Sequence, residues 1–211
     1  MCFNKEVSLV SFFTGVFFSY LIYQFNDVSY KILGLFLGYV SLMQLIEFLL
    51  WSHQICDNYN KFISICAMIL NNSQPIILAI LLLTFYKQSK ENKQYITGIL
   101  IIYSIIILFY SSQFFKPENL KCTIKGGNPY LLWNWNDMPY WKSMSIIFAI
   151  SLALLVYIGI PDKKLAYKVI IMGSFILISS AIIYPRNFVG TLWCFYSVFI
   201  PMILYFLHFL P

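Results

Sequence analysis

Long apolar runs separated by short polar segments repeat along the whole chain. The runs are about 20 residues long, which is the length of an α-helix that crosses the hydrocarbon core of a bilayer. Shorter runs of alternating polarity, which are typical of membrane β-strands, are not the repeating unit. The pattern predicts one membrane domain over residues 1–211, with seven helices at residues 7–25, 32–51, 62–86, 95–115, 143–160, 166–184 and 188–209.

The amino-acid composition indicates a membrane-embedded chain. Hydrophobic residues make up 60% of the sequence and charged residues 10%, and the mean hydropathy is +0.76. These values lie outside the range of soluble domains. Backbone polar groups need internal partners in a bilayer, so only a helical bundle or a closed barrel is stable there. We therefore expect an all-α, polytopic integral membrane protein with a seven-transmembrane-helix bundle.

Lysines in the short connections predict the orientation. One side of the predicted bundle carries Lys31, Lys87, Lys90, Lys93, Lys163, Lys164 and Lys168. The other side has Lys5, Lys61 and Arg186 in short segments, together with four lysines in a long outer loop at residues 116–142. Short cytoplasmic loops are enriched in lysine and arginine. The pattern places the N-terminus outside and the C-terminus in the cytoplasm, and the net charge of +6 needs no nucleic-acid surface to explain it.

Strongly polar residues interrupt the second and third apolar runs. Gln44 and Glu47 share one face of the second predicted helix, and Asn71 and Gln74 share one face of the third. Glu47 is the only acidic residue within a predicted span, and an intramembrane carboxyl group indicates a functional site by default. The alternative is that Glu47 bonds to Asn71 or Gln74 and only joins the two helices.

Two prolines fall inside predicted helices. Pro75 has no backbone N–H, so it leaves the carbonyl of Asn71 without its helical partner, and Pro201 does the same for Ser197. Kinks at these positions would turn polar groups toward the bundle interior. The residues expected to bind a ligand or ion are Glu47, Gln44, Asn71, Gln74, Trp193 and Ser197.

The long outer loop offers two further hypotheses. Cys56 and Cys122 fall on the same predicted side, where they could form a disulfide that ties the loop over the bundle, or they are two free thiols. Trp133, Trp135, Tyr140 and Trp141 are interpreted as an interfacial aromatic belt. The alternative is a lid over a pocket.

Three segments carry a resemblance to a known group of proteins. They are the run MQLIEFLLW at residues 43–51, the spacing of Asn60, Ser64, Gln74 and Pro75, and the run GTLWCFYSVFIP at residues 190–201. Together they resemble uncharacterised seven-span membrane proteins of giant (nucleocytoplasmic large) DNA viruses. The resemblance implies the seven-span topology and a host-cell or virion membrane, and it implies no activity.

The leading functional hypothesis is an outward-facing polar pocket that binds a small ligand or ion and could conduct or transport it. The second is a receptor-like or scaffold protein without transport. The third is an intramembrane enzyme, for which Ser64 or Cys66 would be the nearest group to Glu47, although no catalytic residue is assigned. No metal-binding or phosphate-binding motif occurs, so no metal or cofactor is expected. The expected partners are the lipid bilayer and the small molecule or ion, with a homo-oligomer left open and nucleic acid excluded.

Overall fold

The computed structural model describes residues 4–116, 119–126, 131–183 and 189–209. It is 81% helix, and the described residues form no β-strand. The helices are α1 (Lys5–Tyr23), α2 (Val28–Ser52), α3 (Asn58–Asn72), α4 (Gln74–Phe85), α5 (Lys90–Ser112), α6 (Trp141–Gly159), α7 (Lys163–Ile183), α8 (Val189–Ser197) and α9 (Ile200–His208), with short 3₁₀ turns at Gln113–Phe115 and Asn134–Asp137. The predicted all-α class is confirmed.

Several helices have the length and apolar character needed to cross a membrane. Four of them do so alone: α1, α2, α6, and α5 together with its 3₁₀ extension, over Lys90–Phe115. The bent pair α3–α4 makes a fifth if it is counted as one span. The seven-span count and the orientation stay predictions, and Arg186 and the helix ends predicted at residues 184 and 188 lie outside the described residues.

The surface of the bundle is apolar and part of its interior is polar, which is the reverse of a soluble protein. The inner face of α1 carries Ser8, Ser11, Gly15 and Ser19, all buried. Its outer face carries Val10, Phe13 and Phe17, which are 66%, 61% and 57% exposed. Small residues allow helices to approach closely in lipid, where apolar side chains gain nothing by leaving the hydrocarbon. This arrangement supports a bundle surrounded by lipid tails.

Helix α2 is the central element, because it packs against α1, α3, α4, α8 and α9. It begins at Val28, four residues before the predicted span, since the carboxylate of Asp27 accepts the backbone N–H of Ser29 at 2.6 Å. Asn4, Asp57 and Ser89 cap α1, α3 and α5 in the same way. Hydropathy shows where a helix can enter lipid, whereas capping residues decide where it starts.

The third and seventh predicted helices are each divided in two. Helices α3 and α4 meet at Ser73 with a bend of 47°. Helices α8 and α9 are separated by residues 198–199. Pro75 and Pro201 occupy the first turns of α4 and α9, where a missing N–H is tolerated. The spans predicted at residues 62–86 and 188–209 are thus each broken close to the proline where a kink was expected.

The bundle has two distinct ends. At the lysine end, the turns α1–α2, α4–α5 and α6–α7 come together, and the Gln88 side chain donates to the Gly159 carbonyl at 2.9 Å. At the loop end, the α2–α3 turn meets the long loop between α5 and α6. A large apolar cluster from α2, α4, α6, α7 and α9 fills the interior of the lysine half, with members that include Phe36, Leu37, Val40, Leu78 and Ile200.

Gly34 and Gly38 have the small-xxx-small spacing that predicts close helix packing, and both face α1. A Cβ at Gly34 would lie 2.7 Å from the backbone oxygen of Ser19, which is too close to be tolerated without movement. A Cβ at Gly38 would lie 3.6 Å from the nearest atom, the Cβ of Ser19. Only Gly34 therefore requires a glycine.

We expect Gly34→Ala to lower the free energy of unfolding by about 1–3 kcal/mol, because α1 must move away from α2. The matched control, Gly38→Ala, should be neutral or stabilising by up to about 1 kcal/mol, since alanine favours helix. Thermal unfolding of both variants in detergent micelles, followed by circular dichroism, measures the difference. Equal stabilities would contradict the α1–α2 contact.

Candidate functional site

The long loop folds over the loop end of the bundle as a buried cap. We define the tryptophan cap as Leu131, Trp133, Trp135 and Met138 together with Phe114, all at most 4% exposed. The rings of Trp133 and Trp135 stack with their centres 4.7 Å apart. The aromatic-belt interpretation is wrong for these two tryptophans, because both are buried against α2 and α3 rather than placed at a membrane surface. Their arrangement is that of a lid.

A disulfide fastens the cap to the α2–α3 turn. Cys56 and Cys122, the pair expected to tie the loop over the bundle, are joined with an S–S distance of 2.03 Å across a sequence separation of 66 residues. Cross-linking a loop of this length stabilises a fold by about 4 kcal/mol on the chain-entropy estimate.

Asn60 holds the loop beside the disulfide. Its side-chain Nδ2 donates to the Thr123 carbonyl at 3.0 Å, and its Oδ1 accepts the Thr123 backbone N–H at 2.9 Å. The same Nδ2 donates to the His53 carbonyl at 2.9 Å. One turn further along α3, the Ser64 hydroxyl donates to the Thr123 hydroxyl oxygen, Oγ1, at 2.8 Å. Asn60, Ser64 and Thr123 are fully buried, and we call this group the asparagine latch.

The α2–α3 turn is also polar at its outer surface. Asp57 accepts the backbone N–H of Asn60 at 3.0 Å and bonds to His53 Nε2 at 2.8 Å. The hydrogen bond from the Asn60 N–H, and to a smaller extent the one from His53, keeps the pKa of Asp57 below its usual value. Asp57 is therefore ionised in neutral solution and caps α3.

Side chains of neighbouring helices form hydrogen bonds with the polar groups at the α3–α4 break. The hydroxyl of Tyr103 on α5 donates to the Asn72 carbonyl at 2.9 Å. The hydroxyls of Tyr39 on α2 and Ser73 lie 2.6 Å apart. The Asn72 side chain donates to Ser111 Oγ on α5 at 3.0 Å. The break thus joins three helices through hydrogen bonds.

Glu47 and Gln44 lie on the buried face of α2, and both side chains are fully buried. Glu47 interacts electrostatically with Cys194 on α8. The Cys194 thiol in turn lies 3.8 Å from Asn71 Oδ1, to which it donates. Cys194 is therefore a neighbour of both Glu47 and Asn71. It was not among the site residues expected from the sequence, because a cysteine in an apolar run is typical of an ordinary core residue.

Two cavities border Trp193 on α8. The loop-end cavity, of about 70 Å³, is lined by Trp193 and by Asn71, Asn72, Ile107, Tyr110, Trp135, Trp141, Met144, Ser145, Phe148, Ala149 and Leu177. The lateral cavity, of about 80 Å³, is lined by Gln74, Trp193 and Ser197 among mostly apolar side chains of α2, α4, α6, α7 and α9. Gln44 and Glu47 line neither of these two cavities. The expected site residues are thus distributed over the two cavities and the buried face of α2 that carries Gln44 and Glu47.

Ser64, one of the two residues considered for enzyme chemistry, belongs to the asparagine latch. Ser64 Oγ donates to the Asn60 carbonyl at 2.8 Å as well as to Thr123, so its hydroxyl serves the latch. Within the described residues, no group of three or more histidine, cysteine, aspartate or glutamate side chains is placed to hold a metal ion.

The fold and the site together define a class: a helical protein with four or five helices able to cross a membrane, whose polar interior lies beneath a disulfide-fastened loop. Comparison of the chain with family models, with curated proteins and with solved structures found no match.

The latch can be tested by Asn60→Asp, which keeps the size of the side chain and replaces its N–H donors with an oxygen. The carbonyls of His53 and Thr123 would then face a carboxyl group, so we expect the cap to loosen and the disulfide to be reduced about tenfold faster at fixed dithiothreitol. A maleimide-polymer gel shift counts the freed thiols. The control is Asn92→Asp, which loses a similar bond to the Ile158 carbonyl at the lysine end; equal reduction rates in the two variants would refute the latch.

Proposed function

We propose that the protein is a seven-span integral membrane protein that binds a small cation in the loop-end cavity. Helices α1, α2, α3–α4, α5 and α6 would be the first five spans, with α7 and the α8–α9 pair as the sixth and seventh. The lysine-rich turns favour a cytoplasmic lysine end, which puts the cap and the loop-end cavity on the outer side. The resemblance to proteins of giant DNA viruses makes a host or virion membrane the proposed setting.

The observation that carries this proposal is the chemistry of the cavity wall. Aromatic rings of Tyr110, Trp135, Trp141, Phe148 and Trp193 contribute to one small space. The negative faces of such rings attract cations, most strongly where water is excluded. Asn71 and Asn72, whose side chains carry amide oxygens, line the same cavity. A small organic cation finds both kinds of partner there.

Glu47 supplies the negative charge in this proposal. It interacts electrostatically with Cys194, and the Cys194 thiol donates to Asn71, which lines the cavity. Charges interact over longer distances where the surroundings are poorly polarisable, so a buried carboxylate need not touch the ligand to favour a cation over an anion. Gln44, one helical turn before Glu47, is a buried amide on the same face.

The charge of the loop-end cavity and its access to reagents can be measured with substituted cysteines in a background that carries Cys2→Ser and Cys66→Ser. Ser145 lines the loop-end cavity, whereas Ser151 on the same helix is 8% exposed and lines neither cavity. In proteoliposomes, we expect Ser145→Cys to react at least about tenfold faster with a cationic methanethiosulfonate than with an anionic one of similar size. Adding Glu47→Gln should reduce that ratio at least about threefold.

The Ser151→Cys protein and the parent without an added cysteine serve as controls, and both should react slowly with either reagent. A Ser145→Cys protein that reacts no faster than these controls would show that the cavity is closed to the outside. A charge ratio unaffected by Glu47→Gln would remove Glu47 from the site.

Conduction is expected to be absent in this arrangement. Below the break, the apolar cluster that includes Phe36, Leu37 and Leu78 fills the lysine half of the bundle, where a passing ion would lose its hydration. Potassium and proton efflux from liposomes containing wild type or Glu47→Gln should therefore equal that of protein-free liposomes. Faster efflux with wild type than with Glu47→Gln would establish a conducting path instead.

A receptor-like or scaffold function is the second candidate, and one observation favours it. The polar groups of the α3–α4 break are bonded to Tyr39, Tyr103 and Ser111, so the break needs no ligand for its stability. In this function the lysine end would contact anionic lipid or a cytoplasmic partner. A Ser145→Cys protein that does not react with either reagent, together with no ion efflux above that of protein-free liposomes, would favour the receptor-like or scaffold function.

A further inference from the structure

The lateral cavity has a different character from the loop-end cavity. Its lining is almost wholly apolar, and small residues make room for it: Ala149 and Ala153 on α6 and Gly173 on α7. A Cβ at Gly173 would lie 3.5 Å from the ring of Trp193. The lining also includes Ser174, which is exposed on the outer surface of α7. The cavity therefore reaches the side of the bundle that would contact lipid.

Gln74 is the polar feature of this cavity that lacks a partner. It is 0% exposed, and among the described residues neither its Nε2 nor its Oε1 has a hydrogen-bond partner. The indole Nε1 of Trp193, another residue of the lining, is also buried without a hydrogen-bond partner among the described residues. A buried amide left unpaired costs about 1–3 kcal/mol. Such groups in native proteins indicate a missing partner or a functional role.

We propose that the lateral cavity binds the hydroxyl end of an aliphatic alcohol that enters from the bilayer. One hydroxyl both donates and accepts, so it can donate to Gln74 Oε1 and accept an N–H of Gln74 or Trp193. An ionic group would lose its hydration among these apolar side chains, and an alkane would leave the amide unpaired. The chain of the alcohol lies along the opening at Ser174, among lipid tails. This site is separate from the cation site and does not rest on it.

The test uses photolabelling in lipid nanodiscs. One probe is octanol with a diazirine on its chain, and the other is the matching diazirine octane, compared at equal mole fraction in the bilayer. Labelled residues are located by mass spectrometry of the α6 and α7 peptides. In wild type we expect about tenfold more labelling around Ala153 and Gly173, which line the lateral cavity and not the loop-end cavity, with the alcohol than with the alkane, as one to two net hydrogen bonds provide.

Two pairs of proteins separate recognition from simple partitioning. Gln74→Leu replaces the amide with an apolar side chain of similar size, so the protein should remain folded and the alcohol-to-alkane ratio should fall to about one. Ala153→Phe should fill the cavity and reduce labelling by either probe at least about fivefold. Ile150→Phe, at an exposed position on the same helix, should leave labelling unchanged.

The outcomes are decisive in both directions. Equal labelling by the two probes in wild type, an unchanged ratio in Gln74→Leu, or equal labelling of the Ala153→Phe and Ile150→Phe proteins would each overturn the proposal. Thermal unfolding of Gln74→Leu at or above the wild-type temperature shows that a changed ratio is not caused by misfolding. Ser145→Cys reactivity reports on the other cavity, so failure of one site is distinguishable from failure of the other.

Discussion

A backbone group released from a helix inside a bilayer has no water to bond, and this constraint acts most strongly at Ser73. Pro75 makes the break between α3 and α4 unavoidable, since it has no N–H to offer the preceding turn. Tyr103 from α5 donates its hydroxyl to the backbone carbonyl of Asn72, and Tyr39 from α2 bonds to the Ser73 hydroxyl. The positions of α2, α3, α4 and α5 relative to one another thus depend on meeting this requirement.

The same break creates the space that a ligand could use. A bend of 47° separates Asn71 from Gln74, so that one contributes to the loop-end cavity and the other to the lateral cavity. Trp193, Ala149 and Leu177 line both cavities. The two halves of one broken helix therefore contribute to two neighbouring cavities of different chemical character. The cation site and the alcohol site that we propose are two consequences of that geometry.

Helical periodicity predicted some site residues better than others. Gln44 and Glu47 were placed on one face by counting along a regular helix, and α2 is regular there, so both are buried together. The same count put Asn71 and Gln74 on a common face, but it assumed a continuous helix through Ser73. Cys194 and Thr123 gave no comparable signal, because their partners Asn71 and Asn60 are distant in sequence.

Sequence alone determined that the chain is all-helical, that its helices have an apolar exterior, and that prolines interrupt two of them, because run length and the missing proline N–H are local properties. Only the tertiary structure decided that Trp133 and Trp135 are buried, that Asn60 holds Thr123, and which polar residues share a cavity. These features depend on contacts between segments that are up to 123 residues apart. Amphipathic periodicity shows that a face is buried, and it carries no information about which distant segment covers it.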